Sequence, residues 1–107
     1  MTEYIQIYTT TESRGDSERI SRKMVENRLA ACAQIIGPIT SIYWWKSRIE
    51  QAEEWLCILK STKGSFKTIE KAIKEIHPYE EPEIIAVPIV GGSEGYLKWL
   101  EYELKSR

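Results

Sequence analysis

The sequence predicts an α+β domain of the ferredoxin-like type, with elements in the order βαββαβ and an extra C-terminal helix. The prediction depends on which segments alternate apolar and polar residues, which repeat apolar residues every three or four positions, and how the two kinds follow one another. No Pro-, Gly- or Ser-rich stretch divides the 107 residues, so we expect residues 1–107 to form a single domain. Right-handed crossovers place both main helices on one side of the sheet.

The first strand and the first helix are predicted from the first third of the chain. Residues 4–10 alternate as in a strand, with Ile5 and Ile7 on one face. Ser13 followed by Asp16 resembles a capping box, and apolar residues then recur at helical spacing. We expect the first helix over residues 13–31.

A long hairpin is predicted in the middle of the chain. Residues 32–50 are typical of one long strand that is interrupted at Gly37-Pro38. Residues 55–59 are apolar throughout and predict its partner strand. The polar residues 51–53 between them predict the turn.

A second helix and the last strand are predicted from a stripe of apolar residues at helical spacing and from the position of a proline. Thr62 or Ser65 can cap a second helix over the stripe from residue 66 to residue 76, which His77-Pro78 ends. Residues 82–90 predict the last strand, at a sheet edge because Pro88 cannot donate a ladder hydrogen bond. Gly91-Gly92-Ser93 then opens the terminal helix.

Composition excludes several classes of protein. The net charge of -1, from 15 basic and 16 acidic residues spread along the chain, gives no surface for a nucleic-acid backbone. No apolar run reaches membrane-spanning length and no export signal is apparent, so we expect a cytoplasmic protein. Cys32 and Cys57 lie in apolar runs, and we expect them to be reduced.

Large rings mark a candidate interface. In Tyr43-Trp44-Trp45, neighbouring rings must point to opposite faces of their strand, so some lie on the side that the main helices do not cover. Such an uncovered apolar patch is typical of an oligomer interface. The alternative is a monomer in which the terminal helix hides these rings.

Side chains that could bind a ligand or take part in chemistry are densest in the segment His77-Pro-Tyr-Glu-Glu-Pro-Glu83, which holds the only histidine. His77 is the candidate metal ligand, with Cys32, Glu80 and Glu83 as further candidates. Alternatively, His77 closes a helix C-terminus, where an imidazolium interacts well with the dipole. Since no serine or cysteine has the context of a nucleophile, we expect no enzyme.

Several segments together resemble the CutA family, the divalent cation tolerance proteins. The segments that carry the resemblance are residues 29–32 (LAAC), 42–46 (IYWWK), 58–60 (ILK), 77–80 (HPYE), 82–83 (PE) and 96–100 (YLKWL). The resemblance implies a ferredoxin-like protomer in a tight homotrimer similar to the PII signalling proteins, with a link to metal tolerance and copper binding. It also implies a cleft between protomers, lined by Lys60, Tyr79, Glu80, Glu83 and Trp45.

One departure from the family pattern bears on copper. The copper-binding family member uses a first-strand cysteine and two adjacent histidines, and the matching positions here are Tyr8, Ile76 and His77. Only the last of these keeps its donor, so the same copper site cannot be carried over whole.

The first hypothesis from the sequence is a cytoplasmic homotrimer that binds divalent metal ions, with copper the candidate, and that contributes to metal tolerance. The second is a PII-like regulatory module that binds a small anionic effector or a partner protein at the clefts between subunits. The third is an enzyme that uses Lys60, His77 and Tyr79 at an interface.

Overall fold

The computed structural model describes residues 2–105. These residues form four strands, three α-helices and a short 3₁₀ turn at Lys63–Ser65. The elements in chain order are β1 (Tyr4–Thr11), α1 (Arg14–Glu26), β2 (Cys32–Trp45), β3 (Arg48–Thr62), α2 (Phe66–Ile76), β4 (Ile85–Ile89) and α3 (Glu94–Leu104). Within residues 2–105, no helix combines the length and the apolar character that crossing a membrane requires.

The sheet confirms the ferredoxin-like prediction. Its strand order is β2-β3-β1-β4 and every neighbouring pair is antiparallel, with Ile7 opposite Leu59 at the centre. Side chains of α1 and α2 pack on one face and exclude water from it. The buried apolar core consists of Ile5, Ile7, Ile20, Met24, Ala30, Cys57, Leu59, Ile69 and Ile73.

The terminal helix α3 covers part of the opposite face, as predicted. Its Leu100 is fully buried. The Tyr4 hydroxyl donates to Glu101 at 3.2 Å, and the Lys60 ammonium lies 5.6 Å from the centroid of the Tyr96 ring. Because Tyr4 and Lys60 point away from the core, α3 lies across the end of the sheet where β1 begins.

Residues 48–54 of strand β3 have only β2 as a neighbour, since β1 pairs with residues 55–62 alone. We call residues 39–54 the ribbon, because this part is a two-stranded hairpin. A register shift between Ile36 and Ile39, at the cis Gly37-Pro38 bond, marks its base, so the predicted interruption of β2 is confirmed. The ribbon therefore extends away from the helices.

The predicted turn at residues 51–53 is wrong. The chain reverses at Lys46-Ser47, with φ of 49° and 66°, and Trp45 pairs with Arg48 across this two-residue turn. Such turns need positive φ at both central residues and usually carry Asn or Gly. Neither is present here, while the polar residues 51–53 continue the strand on the exposed ribbon.

The predicted end of the first helix at residue 31 is also wrong, because α1 ends at Glu26. Arg28 has φ 56°, its N–H donates to the Val25 carbonyl, and the Leu29 N–H donates to the Met24 carbonyl. This is the Schellman arrangement, which usually places glycine where Arg28 stands. Leu29 packs on the core from the loop and not from the helix.

The other boundaries agree with the predictions more closely. Ser13 caps α1 by accepting from the Asp16 N–H at 3.1 Å. Ser65 is the N-cap of α2, although its side chain makes no capping bond. Strand β4 lies at the predicted edge and contains Pro88, but it starts at Ile85 and not at residue 82.

Candidate functional site

A cleft of about 780 Å³ lies between the ribbon and the segment that follows α2. One wall is residues 41–45 of β2, the other is residues 79–83, and the end of β1 closes the base. Its lining residues are Thr10, Glu12, Ser41, Ile42, Tyr43, Trp44, Trp45, Ala52, Glu54, Tyr79, Glu80, Glu81, Pro82 and Glu83. The fold thus brings together two parts of the chain that are distant in sequence.

The segment after α2 is held in place by His77. The His77 N–H donates to the Ile73 carbonyl at 2.8 Å, and Pro78 prevents a further helical turn. His77 is a buried residue, with 8% exposure. Its Nε2 lies 2.8 Å from the Thr10 carbonyl oxygen, and its Nδ1 accepts from the Tyr79 N–H at 3.0 Å.

Tyr79 links this segment to the base of the ribbon. Its hydroxyl donates to Glu54 Oε2 at 2.6 Å, and the Glu54 side chain is buried, with 5% exposure of the residue. Burial, together with the hydrogen bond to Glu54, raises the pKa of Tyr79. The phenol is therefore a stable donor to the carboxylate across the physiological pH range.

The cleft is electronegative. Among the described lining residues, five are glutamates and none is lysine or arginine. Desolvation raises the pKa of Glu83, and the charge of Glu54 raises it further. A positive charge would reduce the repulsion between these carboxylates, so the cleft favours a cationic occupant over an anionic one.

Four of the five residues expected in a cleft between protomers line this cleft of the single chain, namely Trp45, Tyr79, Glu80 and Glu83. The fifth, Lys60, lies outside it in the single chain, beneath α3 and opposite Cys32 in the β2–β3 register. A contribution of Lys60 to a cleft between protomers stays a prediction. The expected interface rings Tyr43, Trp44 and Trp45 are exposed.

The residues present do not fit a copper centre within one chain. Both ring nitrogens of His77 are engaged in hydrogen bonds. Cys32 is a half-buried thiol on β2 that does not line the cleft. Within residues 2–105 there is no group of three or more His, Cys, Asp or Glu side chains placed to hold a metal ion. Within one chain, His77 could bind a metal only by giving up one of these two hydrogen bonds, and its role as a metal ligand stays a prediction.

Glu54 is the functional residue that the sequence does not reveal. It follows Glu53 in a polar run that is typical of a solvated turn, yet it faces the cleft while its neighbour is exposed. Along β3, Glu54 lies on the face opposite the buried Cys57 and Leu59, and Glu53 lies on the same face as these two core residues. Alternation counted from the core would therefore bury Glu53, so the strand pattern does not identify Glu54.

The CutA1 family model, described as CutA1 divalent ion tolerance protein, matches residues 5–103. A divalent-cation tolerance protein CutA from Thermus thermophilus is 38% identical over 94 residues, which are 88% of this chain and 91% of that protein. The chloroplastic protein CutA 1 of rice is 34% identical over 97 residues. These make up 91% of this chain but 55% of the rice protein, so the chain spans about half of that relative.

The fold is shared with solved structures. The divalent ion tolerance protein CutA1 from Ehrlichia chaffeensis superposes with a TM-score of 0.92 at 34% identity, covering 99% of each chain. The sequence and structural similarities extend over the sheet, the ribbon and the cleft segment together.

Proposed function

The chain belongs to the CutA1 family of divalent ion tolerance proteins, and on that premise we propose that it acts as a cytoplasmic homotrimer that binds a divalent cation in its acidic cleft. Copper is the candidate ion, and the protein catalyses no reaction. The observation that carries the proposal is the cleft itself, in which five glutamates gather without a basic residue among the described lining.

Self-association is supported by the ribbon. Ile42, Trp44 and Ile49 share one of its faces and are 66%, 71% and 64% exposed. An isolated two-stranded ribbon is marginally stable in water, and an apolar face of this kind is typical of an interface. A second protomer would cover it, and the trimeric number follows from the resemblance described above.

The donor chemistry supports a cation held through carboxylate oxygens. Glu54 and Glu83 are close enough for the charge of one to raise the pKa of the other. Copper(II) stands at the top of the divalent affinity order for nitrogen and oxygen donors, so it is the ion that such a site takes up most tightly. One chain supplies too few donors, so we infer that water or a second protomer completes the site.

The alternatives are less well supported by the cleft. A small anionic effector, as in a PII-like regulator, would meet five glutamates there. An enzyme that uses Lys60, His77 and Tyr79 needs them together, but Lys60 lies beneath α3 in the single chain. The non-enzymatic cation-binding trimer is therefore the first proposal.

The test is a titration of metal-stripped protein of verified mass with Cu(II), Zn(II) and Mg(II). We expect saturable Cu(II) binding that weakens roughly tenfold or more in Glu83→Gln and Glu54→Gln, because each substitution removes a charged donor. Glu26→Gln, which removes an equal charge outside the cleft, is the matched control and should bind as the parent does.

Two results would contradict the proposal. Equal affinity in all three variants would place the ion outside the cleft. A mass of 12.5 kDa at all micromolar concentrations would exclude the homotrimer.

A further inference from the structure

We propose that His77 is a positioning residue of the cleft and not a metal ligand: its imidazole fixes Tyr79 and, through Tyr79, the buried carboxylate of Glu54. The hydrogen bonds of the imidazole do not depend on a bound ligand. Only the measurement of Cu(II) affinity rests on the proposed function.

The two partners of His77 determine its tautomer. The Thr10 carbonyl oxygen accepts and cannot donate, so Nε2 carries the proton. The Tyr79 amide donates and cannot accept, so the lone pair of Nδ1 is used by that bond. Since a histidine binds a metal through an unprotonated ring nitrogen, His77 has no lone pair to offer without losing one of these bonds.

The imidazole joins three parts of the cleft. Nε2 holds it to the end of β1 at Thr10, and Nδ1 holds the amide of Tyr79. The Tyr79 ring packs on the imidazole with 4.8 Å between centroids, and its hydroxyl reaches Glu54 at 2.6 Å. A displaced imidazole would therefore release Tyr79 and leave Glu54 buried without its donor, which is costly for a carboxylate.

The same geometry corrects the interpretation of His77 as a cation at the end of a helix. The ring nitrogens face β1 and the Tyr79 amide, and it is the backbone N–H of His77 that bonds α2. Burial also lowers the pKa of His77, so the ring is neutral at physiological pH. A neutral imidazole with both ring nitrogens in hydrogen bonds holds the neighbouring segments in place.

The first experiment is nitrogen-15 NMR of the imidazole in the full chain, without metal and with Zn(II), a diamagnetic ion. We expect one protonated nitrogen, Nε2, and one hydrogen-bonded, unprotonated nitrogen, Nδ1, in both samples. A protonated Nδ1 without metal, or a ring nitrogen whose signal moves to that of a metal-bound nitrogen when Zn(II) is added, would overturn the proposal.

The second experiment separates the two bonds with matched variants. His77→Asn places an amide oxygen near Nδ1 and can still accept from Tyr79, whereas His77→Gln can reach Thr10 in place of Nε2. We expect hydrogen exchange of the Tyr79 amide to stay slow in His77→Asn and to become fast in His77→Gln and His77→Ala. Fast exchange in all three variants, or in none, would contradict the assignment.

The third experiment measures Cu(II) affinity, which should not change if His77 only stabilises the fold. Groups that orient ligands typically change metal affinity by roughly ten- to hundredfold when they are removed. We therefore expect Cu(II) affinity to fall by about that factor in His77→Ala, with unchanged stoichiometry and with recovery in His77→Asn. Equal loss in His77→Asn and His77→Ala would instead identify a direct ligand. If the parent binds no divalent ion, the proposed function fails while the NMR and exchange experiments still decide the role of His77.

Discussion

The two halves of strand β3 have opposite surroundings although they belong to one continuous strand. Leu59 and Ile49 point to the same side of β3, ten residues apart, yet Leu59 is fully buried under the helices and Ile49 is 64% exposed on the ribbon. Residues 55–62 build the core, and residues 48–54 build the cleft and the expected interface. An apolar residue on this side of β3 is therefore buried in the core or exposed on the ribbon, according to whether a helix lies above it. We expect the exposed ones to stabilise the proposed assembly.

The largest effect is expected in the core. Leu59→Ala should lower the free energy of unfolding by about 2 to 5 kcal/mol, because it leaves a cavity among packed side chains. Denaturant unfolding at fixed protein concentration measures this. Leu59→Met, which keeps the volume, should cost less than about 1.5 kcal/mol. A loss for Leu59→Ala no greater than that of Leu59→Met would break the distinction between the two halves.

The next effect is expected on the ribbon and in the assembly. Trp44→Ala should raise the dissociation constant of the oligomer by about 30-fold or more, as for an interface residue that contributes 2 kcal/mol or more. Sedimentation equilibrium measures the constant, and circular dichroism should show unchanged secondary structure. Val90→Ala, at a fully exposed position outside the ribbon, is the control. An unchanged constant in Trp44→Ala would remove the ribbon from the interface.

The smallest effect is expected at the junction of the two halves, where His77 joins the end of β1 to the cleft. Burial lowers the pKa of His77 below its ordinary 6.5, against a smaller opposing effect of the Thr10 bond. The charged groups that act on it are Asp16 and Arg19 on α1 and Glu54 on the ribbon.

The sign of this pH dependence follows from proton uptake. An unfolded chain binds the proton more readily, so the free energy of unfolding should fall as pH drops from 6.5 towards the lower pKa of the folded state, and stay level above 6.5. Parallel unfolding curves of the parent and His77→Asn measure it, since the chain has one histidine. A difference between the two curves that does not change between pH 5 and 7 would contradict the prediction.

Much of the fold could be predicted because its signals are local. The alternation of Ile5 and Ile7, the helical stripe of α2 and the proline of β4 each report a periodicity or a missing donor. The two boundary errors have a common cause. Arg28 and Lys46-Ser47 adopt positive φ without glycine or asparagine, so the chain reverses where its composition gives no signal.

Less of the candidate site could be predicted. Tyr79, Glu80 and Glu83 lie in one short segment of the sequence, and the resemblance to the CutA family implied their place in a cleft. Glu54 was not found, because its burial depends on a ribbon that folds beneath that segment from another part of the chain.

By itself, the sequence determined the order of the elements, the apolar faces that form the core and the family to which the chain belongs, since these depend on periodicity and on contiguous motifs. Only the tertiary structure decided which partners the two ring nitrogens of His77 have. The donor and acceptor of its two ring nitrogens come from Thr10, 67 residues away on β1, and from the fold of the Tyr79 backbone. A side chain's capacity to bind a metal depends on which lone pairs its neighbours leave free, and neighbours in space are set by packing.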